Sequence, residues 1–239
     1  MSTKPLSILA FGAHPDDIEF GCGGVIVRET RSGNRAHFVV CSRGESATNG
    51  TPAERTREAQ KAAKHLGAGI EFLKLDGDCR LEANPANALT IAGILRRLRP
   101  VIVLSPAVVS NQHPDHYHLG QIVRDAARLA RYGGIKELRR WKSHRVNNLL
   151  FYAVTPEGEP PDLARVLVDI SAPEIIAAWT KSMEAHASQL RTRNYVELQL
   201  TRARLNGLRA GVDYATALFP NDPLVLDSLR LFGHAARHF

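Results

Sequence analysis

The chain of 239 residues is 44% hydrophobic, which is enough to bury the core of one α/β domain spanning residues 1–239, and its apolar runs are too short for a membrane helix. A net charge of +7 indicates an acidic partner, either nucleic acid or a small anionic substrate. Three widely spaced cysteines and a short amino-terminal apolar run argue against a disulfide-stabilised secreted protein and predict a cytoplasmic location.

Strands and helices alternate along the first half of the chain. Apolar runs predict strands at residues 6–13, 36–41, 70–75 and 101–105. Helical patterns follow them at residues 23–33, 51–67, 84–100 and about 116–130. Thr51 and Glu54 form a capping box, and Asn84 begins the next helix. This order predicts a Rossmann-like three-layer α/β sandwich with a mostly parallel sheet.

The second half of the chain has a less regular pattern. Apolar runs predict two further strands, at residues 146–154 and 164–170. Ser171 with Glu174 is the expected cap of a helix that runs through about Leu190, and another helix is expected from Tyr195 to Gly211. These strands and helices would complete the sandwich at its carboxyl-terminal side.

Basic residues cluster in two runs, residues 96–100 and 131–145. Neither run has the interleaved aromatic residues of a single-strand binding surface, and no DNA-binding motif is visible. We therefore expect Arg96, Arg97 and Arg99 to form a solvated helix end, and we expect no nucleic-acid partner. A basic nucleic-acid-binding protein of α/β fold remains the non-enzymatic alternative.

Polar side chains follow each of the first four predicted strands. They lie at residues 14–17, 42–45, 76–80 and 105–116. In an open parallel sheet, ligands bind beyond the carboxyl ends of the strands, so these segments should share one edge. A dinucleotide site does not fit, because Gly21, Gly23 and Gly24 have the wrong spacing and two carboxylates would repel a pyrophosphate.

Two His-Pro-Asp motifs dominate this edge. His14 and Asp17 lie three residues apart after the first strand, and His113 and His116 repeat that spacing after the fourth, with Asp115 between them. Two histidines and a carboxylate around an open position form a catalytic zinc site, and the same set also serves non-haem iron(II) oxygenases. Four other histidines have no such context and are expected to be ordinary: His37, His65, His118 and His186.

The motifs AHPDD and HPDH, in this order, resemble the LmbE/PIG-L superfamily of zinc-dependent N-acetylglucosamine deacetylases. Residues 42–63, 76–81, 144–153 and 194–218 are similar to the bacillithiol-pathway branch, which deacetylates N-acetylglucosaminyl-malate. The chain departs from that branch at Asn111-Gln112, where the branch often has Asp-Arg. It departs again at Asp78-Cys79-Arg80, where the branch often reads Asp-Gly-Arg.

The resemblance implies a role for each site residue. It makes Asp16 the general base, and His113 the group that steadies the tetrahedral intermediate or protonates the leaving amine, with Asp115 as its orienting partner. The zinc ligands are His14, Asp17 and His116, and the residues facing the substrate are Arg55, Tyr195 and Arg145. Iron(II) is the alternative metal in the cell.

The expected function is hydrolysis of the N-acetyl group of an N-acetylglucosamine conjugate. The best substrate is N-acetylglucosaminyl-malate, whose carboxylates suit the basic balance of the chain. The expected protein is a homo-oligomer that binds this small anionic conjugate and no membrane. A deacetylase of another N-acetylglucosamine conjugate is the nearest alternative, and the iron oxygenase and the nucleic-acid-binding protein are more remote.

Overall fold

The computed structural model describes residues 4–225 and 228. Within this part of the chain, seven strands form one sheet in the order β3-β2-β1-β4-β5-β7-β6. The strands are β1 (Ser7–Gly12), β2 (Arg35–Val40), β3 (Gly69–Phe72), β4 (Ile102–Pro106), β5 (Asn148–Tyr152), β6 (Val166–Asp169) and β7 (Ala215–Pro220). Strands β1 to β5 pair in parallel, and β7 pairs antiparallel with both β5 and β6.

Helices cover both faces of this sheet. The helices are α1 (Asp17–Arg31), α2 (Pro52–His65), α3 (Pro85–Leu98), α4 (Pro114–Leu129), α5 (Pro173–Glu184) and α6 (Tyr195–Ala210). Alternate residues of β1 face opposite layers: Leu9 and Phe11 pack in the cluster with α3 and α4, while Ile8 and Ala10 pack with the other four helices. The three-layer, mostly parallel α/β sandwich predicted from the sequence is confirmed.

Helix α1 begins at Asp17, six residues before the predicted start at Gly23. The glycines of its first turns serve packing, since a Cβ on Gly21 would lie 2.2 Å from the Tyr152 ring and one on Gly23 would lie 2.8 Å from Trp179. The Tyr152 hydroxyl donates to the Phe11 carbonyl at 2.7 Å. Helix α1 therefore approaches β5 and α5 closely, which holds its first turn against the sheet.

The carboxyl-terminal half differs from the prediction in three places. Ala172, not Ser171, is the N-cap of α5, because the Ser171 hydroxyl donates to Asp169. Helix α5 ends at Glu184, well before Leu190, and a short 3-10 turn occupies Gln189–Arg191. Strand β7 was not predicted.

None of the described helices combines the length and the apolar character that a bilayer crossing needs.

Arg96 lies in the interior, which corrects its prediction as a solvated residue. Its side chain is 2% exposed, and its guanidinium donates to the carbonyls of Ala130 at 3.0 Å, Leu138 at 2.9 Å and Tyr132 at 2.6 Å. These carbonyls belong to the segment that links α4 to β5, so Arg96 fixes the path of the basic run 131–145. Arg97 is exposed, as expected, and pairs with Glu71.

We expect Arg96→Ala to lower the free energy of unfolding by about 1.5–3 kcal/mol, because it removes charge-assisted hydrogen bonds to buried carbonyls. Urea unfolding followed by circular dichroism measures this change. Arg97→Ala is the matched control one residue away, and we expect it to cost at most about 1 kcal/mol as an exposed ion pair. Equal losses in the two variants would contradict the structural role of Arg96.

Candidate active site

The carboxyl ends of β1 and β4 bring the two His-Pro-Asp motifs together. Strands β1 and β4 pair in parallel, so the turn into α1 and the turn into α4 lie side by side. Both turns line a cavity of about 400 Å³, together with the β2–α2 loop, the β3–α3 loop and the start of α6. The predicted shared edge of the sheet is therefore where the polar clusters meet.

His14, Asp17 and His116 line this cavity with their ligand atoms within 4.8 Å of one another, and all three are buried. His116 Nε2 lies 2.9 Å from Asp17 Oδ1 and 3.3 Å from His14 Nδ1. Two ring nitrogens this close repel each other through their lone pairs unless a proton or a cation lies between them. Two imidazoles and a carboxylate are the ligand set of catalytic zinc, so these residues fit a divalent metal.

The backbone around Asp17 fixes its side chain. Asp17 Oδ2 accepts hydrogen bonds from the N–H groups of Ala13 at 2.8 Å and His14 at 2.9 Å, which leaves Oδ1 for His116. Burial raises the pKa of this carboxyl, but the positive charges of His116 and His14 outweigh burial and hold the pKa well below its usual range. Asp17 is thus an ionised and preoriented ligand.

Asp16 has an unusual backbone conformation. Its φ of 127° lies in the region that favours glycine, and such strain is concentrated at functional sites. Burial raises the pKa of the Asp16 carboxyl to about 6, and the positive charge of Arg55 opposes this rise. A carboxylate that is ionised at neutral pH yet still basic suits proton transfer, and Asp16 lines the cavity beside the three candidate ligands.

Arg55 lies at the wall of the cavity and is 4% exposed. Its Nη2 donates to Asp16 Oδ2 at 3.1 Å and to the Pro15 carbonyl at 2.9 Å. Gly44 makes room for the guanidinium, since a Cβ there would lie 2.0 Å from Arg55 Nη1. The residue that the resemblance assigns to the substrate therefore also holds the candidate base.

We expect Arg55→Ala to move the acid limb of the kcat/KM profile to higher pH. The Asp16 carboxyl must be ionised to act as a base, and its activity is lost as the pH falls through its pKa. Arg55 lowers that pKa, so its removal raises it; a bound cation lowers the pKa in both proteins. The pH profile of the zinc-loaded enzyme measures the shift, and Arg55→Lys, which keeps the charge, should show a smaller one. An acid limb at the same pH in Arg55→Ala and in the parent protein would show that Arg55 does not control the pKa of Asp16.

His113 faces the cavity from the start of α4. Its Nδ1 accepts the Asp115 N–H at 3.2 Å, so a neutral ring carries its proton on Nε2. Burial lowers the pKa of His113, and the nearby charges of His14 and His116 lower it further. His113 is thus placed as a neutral Nε2–H donor.

The side chain of Asp115 contacts a different histidine from the one that the resemblance suggested. Its Oδ2 lies 3.0 Å from His14 Nε2, while only its backbone N–H reaches His113. The carboxylate also accepts the N–H groups of Cys79 at 2.7 Å and Leu81 at 3.2 Å. Asp115 therefore joins the β3–α3 loop to the metal-ligand cluster.

The two remaining predicted substrate residues are far apart. Tyr195 lines the cavity, where its ring stacks on Phe20 with centroids 5.2 Å apart. Arg145 is exposed and lies before β5, whose first residue Asn148 pairs with the start of β4. Because the site lies at the opposite end of these strands, Arg145 has no place in the cavity.

Sequence reasoning gave no role to two residues that the fold brings close to the site. Asp78 Oδ1 lies 3.0 Å from His14 Nε2, and the Ser46 N–H donates to Asp78 Oδ2 at 2.8 Å. His186 was expected to be ordinary, but it is fully buried with Nε2 3.5 Å from Glu19 Oε2. Asp78 belongs to the polar cluster that follows β3, so its position in the sequence already indicated that it lies near the site. No sequence pattern indicated a role for His186.

Comparison with known proteins agrees with this geometry. The PIG-L family, described as GlcNAc-PI de-N-acetylase, matches residues 9–127, which include both His-Pro-Asp motifs. A solved structure of a conserved protein from Thermus thermophilus is 33% identical, with a TM-score of 0.83 over 92% of this chain and 97% of that one. The chain belongs to the PIG-L family. The family assigned from the sequence is thereby confirmed.

Two curated proteins that are similar in sequence to this PIG-L chain are named for different activities. A 4-oxalmesaconate hydratase from Pseudomonas putida is 33% identical over 147 residues, which cover 55% of this chain and 57% of that protein. A diacetylchitobiose deacetylase from Thermococcus kodakarensis is 30% identical over 132 residues, which cover 52% and 49%. The chain spans about half the length of these relatives, so the match alone does not assign a reaction.

Proposed function

We propose that this PIG-L chain hydrolyses the N-acetyl group of an N-acetylglucosamine conjugate, using a zinc ion held by His14, Asp17 and His116. The observation that carries the proposal is the position of Asp16. Its carboxyl has a pKa raised to about 6 and lines the same cavity as the three ligands, with His113 beside them. A metal-ligand cluster, a base and a neutral donor in one cavity are the parts that amide hydrolysis needs.

The reaction needs a nucleophile, a stabilised oxyanion and a protonated leaving nitrogen. Zinc, when bound here, polarises the carbonyl and acidifies water. Asp16 takes the proton of the attacking water, and the Nε2–H of His113 donates to the developing oxyanion. The carbon–nitrogen bond then breaks, and the nitrogen gains the proton that Asp16 removed, directly or through His113, so that acetate and a free amine leave.

The proposed conjugate is N-acetylglucosaminyl-L-malate, a substrate in bacillithiol biosynthesis. Its support is the sequence resemblance and Arg55, which is the one arginine among the described residues that line the cavity. One Nη of Arg55 is engaged by Asp16 and Pro15, and its Nη1 lies against Gly44. A malate carboxylate would therefore have to share this guanidinium with Asp16.

A neutral conjugate is the second candidate, and the lining of the cavity favours it. Uncharged hydrogen-bonding side chains form much of the wall: Ser46, Thr48, Asn49, Thr155, Gln189, Thr192 and Tyr195. Gln112, where the malate branch often has arginine, donates to the Ala107 carbonyl at 2.5 Å. Hydroxyl groups of a second sugar or cyclitol match such a wall, as in the substrate that the diacetylchitobiose deacetylase is named for.

The charge of the cavity bears on both anionic candidates, the malate conjugate and the polycarboxylate whose hydration the name of the Pseudomonas putida relative implies. Each carboxylate of either substrate needs a cationic partner when it leaves water, and the described wall offers the proposed metal and one arginine that already pairs with Asp16. An iron(II) oxygenase would use the same three ligands but has no need of a base at Asp16. Amide hydrolysis uses both features.

A primary-amine release assay tests the proposal. The zinc-loaded chain is given N-acetylglucosaminyl-malate, diacetylchitobiose and a neutral N-acetylglucosamine glycoside, each with and without a chelator. We expect chelator-sensitive amine release, and the ratio of kcat/KM between malate and neutral substrates identifies the conjugate. Oxygen uptake with iron(II), or hydration of 4-oxalmesaconate without any amine release, would overturn deacetylation.

We further propose that the chain works in the cytoplasm as one domain in a homo-oligomer. The cysteines are widely spaced, as in proteins of a reducing compartment, and one sheet runs through the described residues. The proposed metal is zinc, with iron(II) as the alternative in the cell, because both accept two imidazoles and one carboxylate. Metal analysis after expression in minimal medium with either metal, and light scattering for the oligomer, test these points.

A further inference from the structure

The ligand histidine of the first motif is contacted at both ring nitrogens. His14 Nδ1 faces the other two candidate ligands, at 3.3 Å from His116 Nε2 and 3.6 Å from Asp17 Oδ2. His14 Nε2 faces the opposite way, at 3.0 Å from Asp78 Oδ1 and 3.0 Å from Asp115 Oδ2. One ring nitrogen therefore points to the metal position and the other to a pair of carboxylates.

We infer that Asp78 and Asp115 are positioning residues that hold the proton of His14 on Nε2 and so leave the Nδ1 lone pair free for the metal. Resting on the proposed zinc site, the inference concerns how His14 is made ready rather than which reaction follows. An ionised carboxylate accepts but cannot donate, so two of them at Nε2 require a ring N–H there. Neutral imidazole then has its lone pair on Nδ1.

Both carboxylates are themselves held in place. Asp115 accepts the N–H groups of Cys79 and Leu81, and Asp78 accepts the N–H of Ser46 at 2.8 Å. Both side chains are buried, at 2% exposure for Asp115 and 5% for Asp78. A histidine whose second nitrogen donates to a fixed carboxylate binds metal more tightly, because neither its tautomer nor its ring angle has to change.

The two carboxylates contribute unequally. Asp115 lies behind His14 and uses both oxygens on backbone N–H groups, whereas Asp78 lines the open cavity. In Asp115→Asn, a single amide oxygen has to serve either the backbone N–H groups or His14. The amide NH₂ then faces a donor, which opposes the Nε2–H tautomer. We therefore expect Asp115 to matter more than Asp78.

Zinc affinity, measured by competition with a chromogenic chelator, tests the inference without any substrate. We expect Asp115→Asn to weaken zinc binding by roughly 10–100-fold, Asp78→Asn to weaken it less, and the double variant to exceed either. Asp125→Asn, an exposed carboxylate on the same helix α4, is the matched control and should keep wild-type affinity. Thermal unfolding of the metal-free proteins separates lost affinity from lost fold.

The Nε2–H of His14 gives a second readout that general destabilisation would not move. Proton and nitrogen-15 NMR of the zinc-loaded protein should show this N–H shifted downfield and slow to exchange with water, because two buried carboxylates accept from it, and the double variant should lose both features. If Asp115→Asn does not fold, Asp78→Asn still decides through zinc affinity and the Nε2–H signal together. Unchanged zinc affinity and an unchanged Nε2–H signal would overturn the inference even if the enzyme deacetylates. Weakened zinc binding without any deacetylase activity would leave the inference standing and overturn the proposed function.

Discussion

Replacing Asp16 by asparagine is expected to lower kcat for deacetylation by on the order of 10²–10⁴-fold while zinc stays bound, because the variant loses the group that accepts the proton of the attacking water. The amide has nearly the same shape, and its oxygen can still accept from Arg55 Nη2, which lies 3.1 Å from Asp16 Oδ2. Asparagine also tolerates positive φ better than most residues, so the 127° backbone of Asp16 should persist.

Two measurements separate lost chemistry from lost structure in this variant. Elemental analysis should find wild-type zinc content, since Asp16 is not among the three candidate ligands. Thermal unfolding should stay close to that of the parent protein. A variant with zinc bound and near-normal kcat would show that another residue takes the proton, and His113 would then be the first residue to test.

The part of the fold that could be predicted rests on local signals. Thr51 accepts the Glu54 N–H at 3.2 Å, and Asn84 accepts the Asn87 N–H at 2.9 Å, so α2 and α3 begin where their caps predicted. The start of helix α1 was predicted six residues too late, because no side chain caps its first turn and the sequence therefore carries no cap signal there. The N-cap residue Asp16 instead has a φ of 127°.

The missed features depend on partners far away in the chain. Strand β7 has six residues and follows helix α6 closely, and its pairing with β5 and β6 across the sheet is what identifies it as a strand. The sequence pattern makes Arg96 part of a solvated basic run. In the folded protein, its guanidinium donates to the carbonyls of Ala130 and Leu138. No local pattern reports such contacts, because they form across 34 to 45 residues.

The candidate site, like the fold, has one part that local sequence signals predict and another part that depends on distant contacts. Motif spacing was enough to place the two His-Pro-Asp motifs at one edge, since both motifs follow strands that pair in one parallel sheet, and the family resemblance then assigned His14, Asp17 and His116 as ligands. The partners of these residues were harder to assign. The Asp115 carboxylate lies 3.0 Å from His14 Nε2, and Arg55 donates to Asp16. The sequence does not predict these contacts, because the direction of each side chain depends on the loops that fold over the motifs.

His116→Ala is the clearest test of the metal site, since it removes one of three ligands while Asp17 keeps its hydrogen bonds from Ala13 and His14. We expect loss of bound zinc and a fall in kcat/KM on the order of 10³-fold or more, equivalent to the several kcal/mol that a metal contributes to transition-state stabilisation. Asp17→Ala should also lose zinc, but it leaves two buried N–H groups without their acceptor and is expected to destabilise the fold as well.

His118→Ala is the matched control, because His118 lies two residues further along α4 and its Nδ1 contacts the Leu81 carbonyl rather than the ligand cluster. It should keep its zinc. Elemental analysis of both variants, purified without added metal, gives the comparison. Added zinc at high concentration should restore part of the activity of His116→Ala if two ligands still hold the ion weakly. Full zinc occupancy in His116→Ala would place the metal elsewhere, and the assignment of Asp16 as the base beside it would fall with that result.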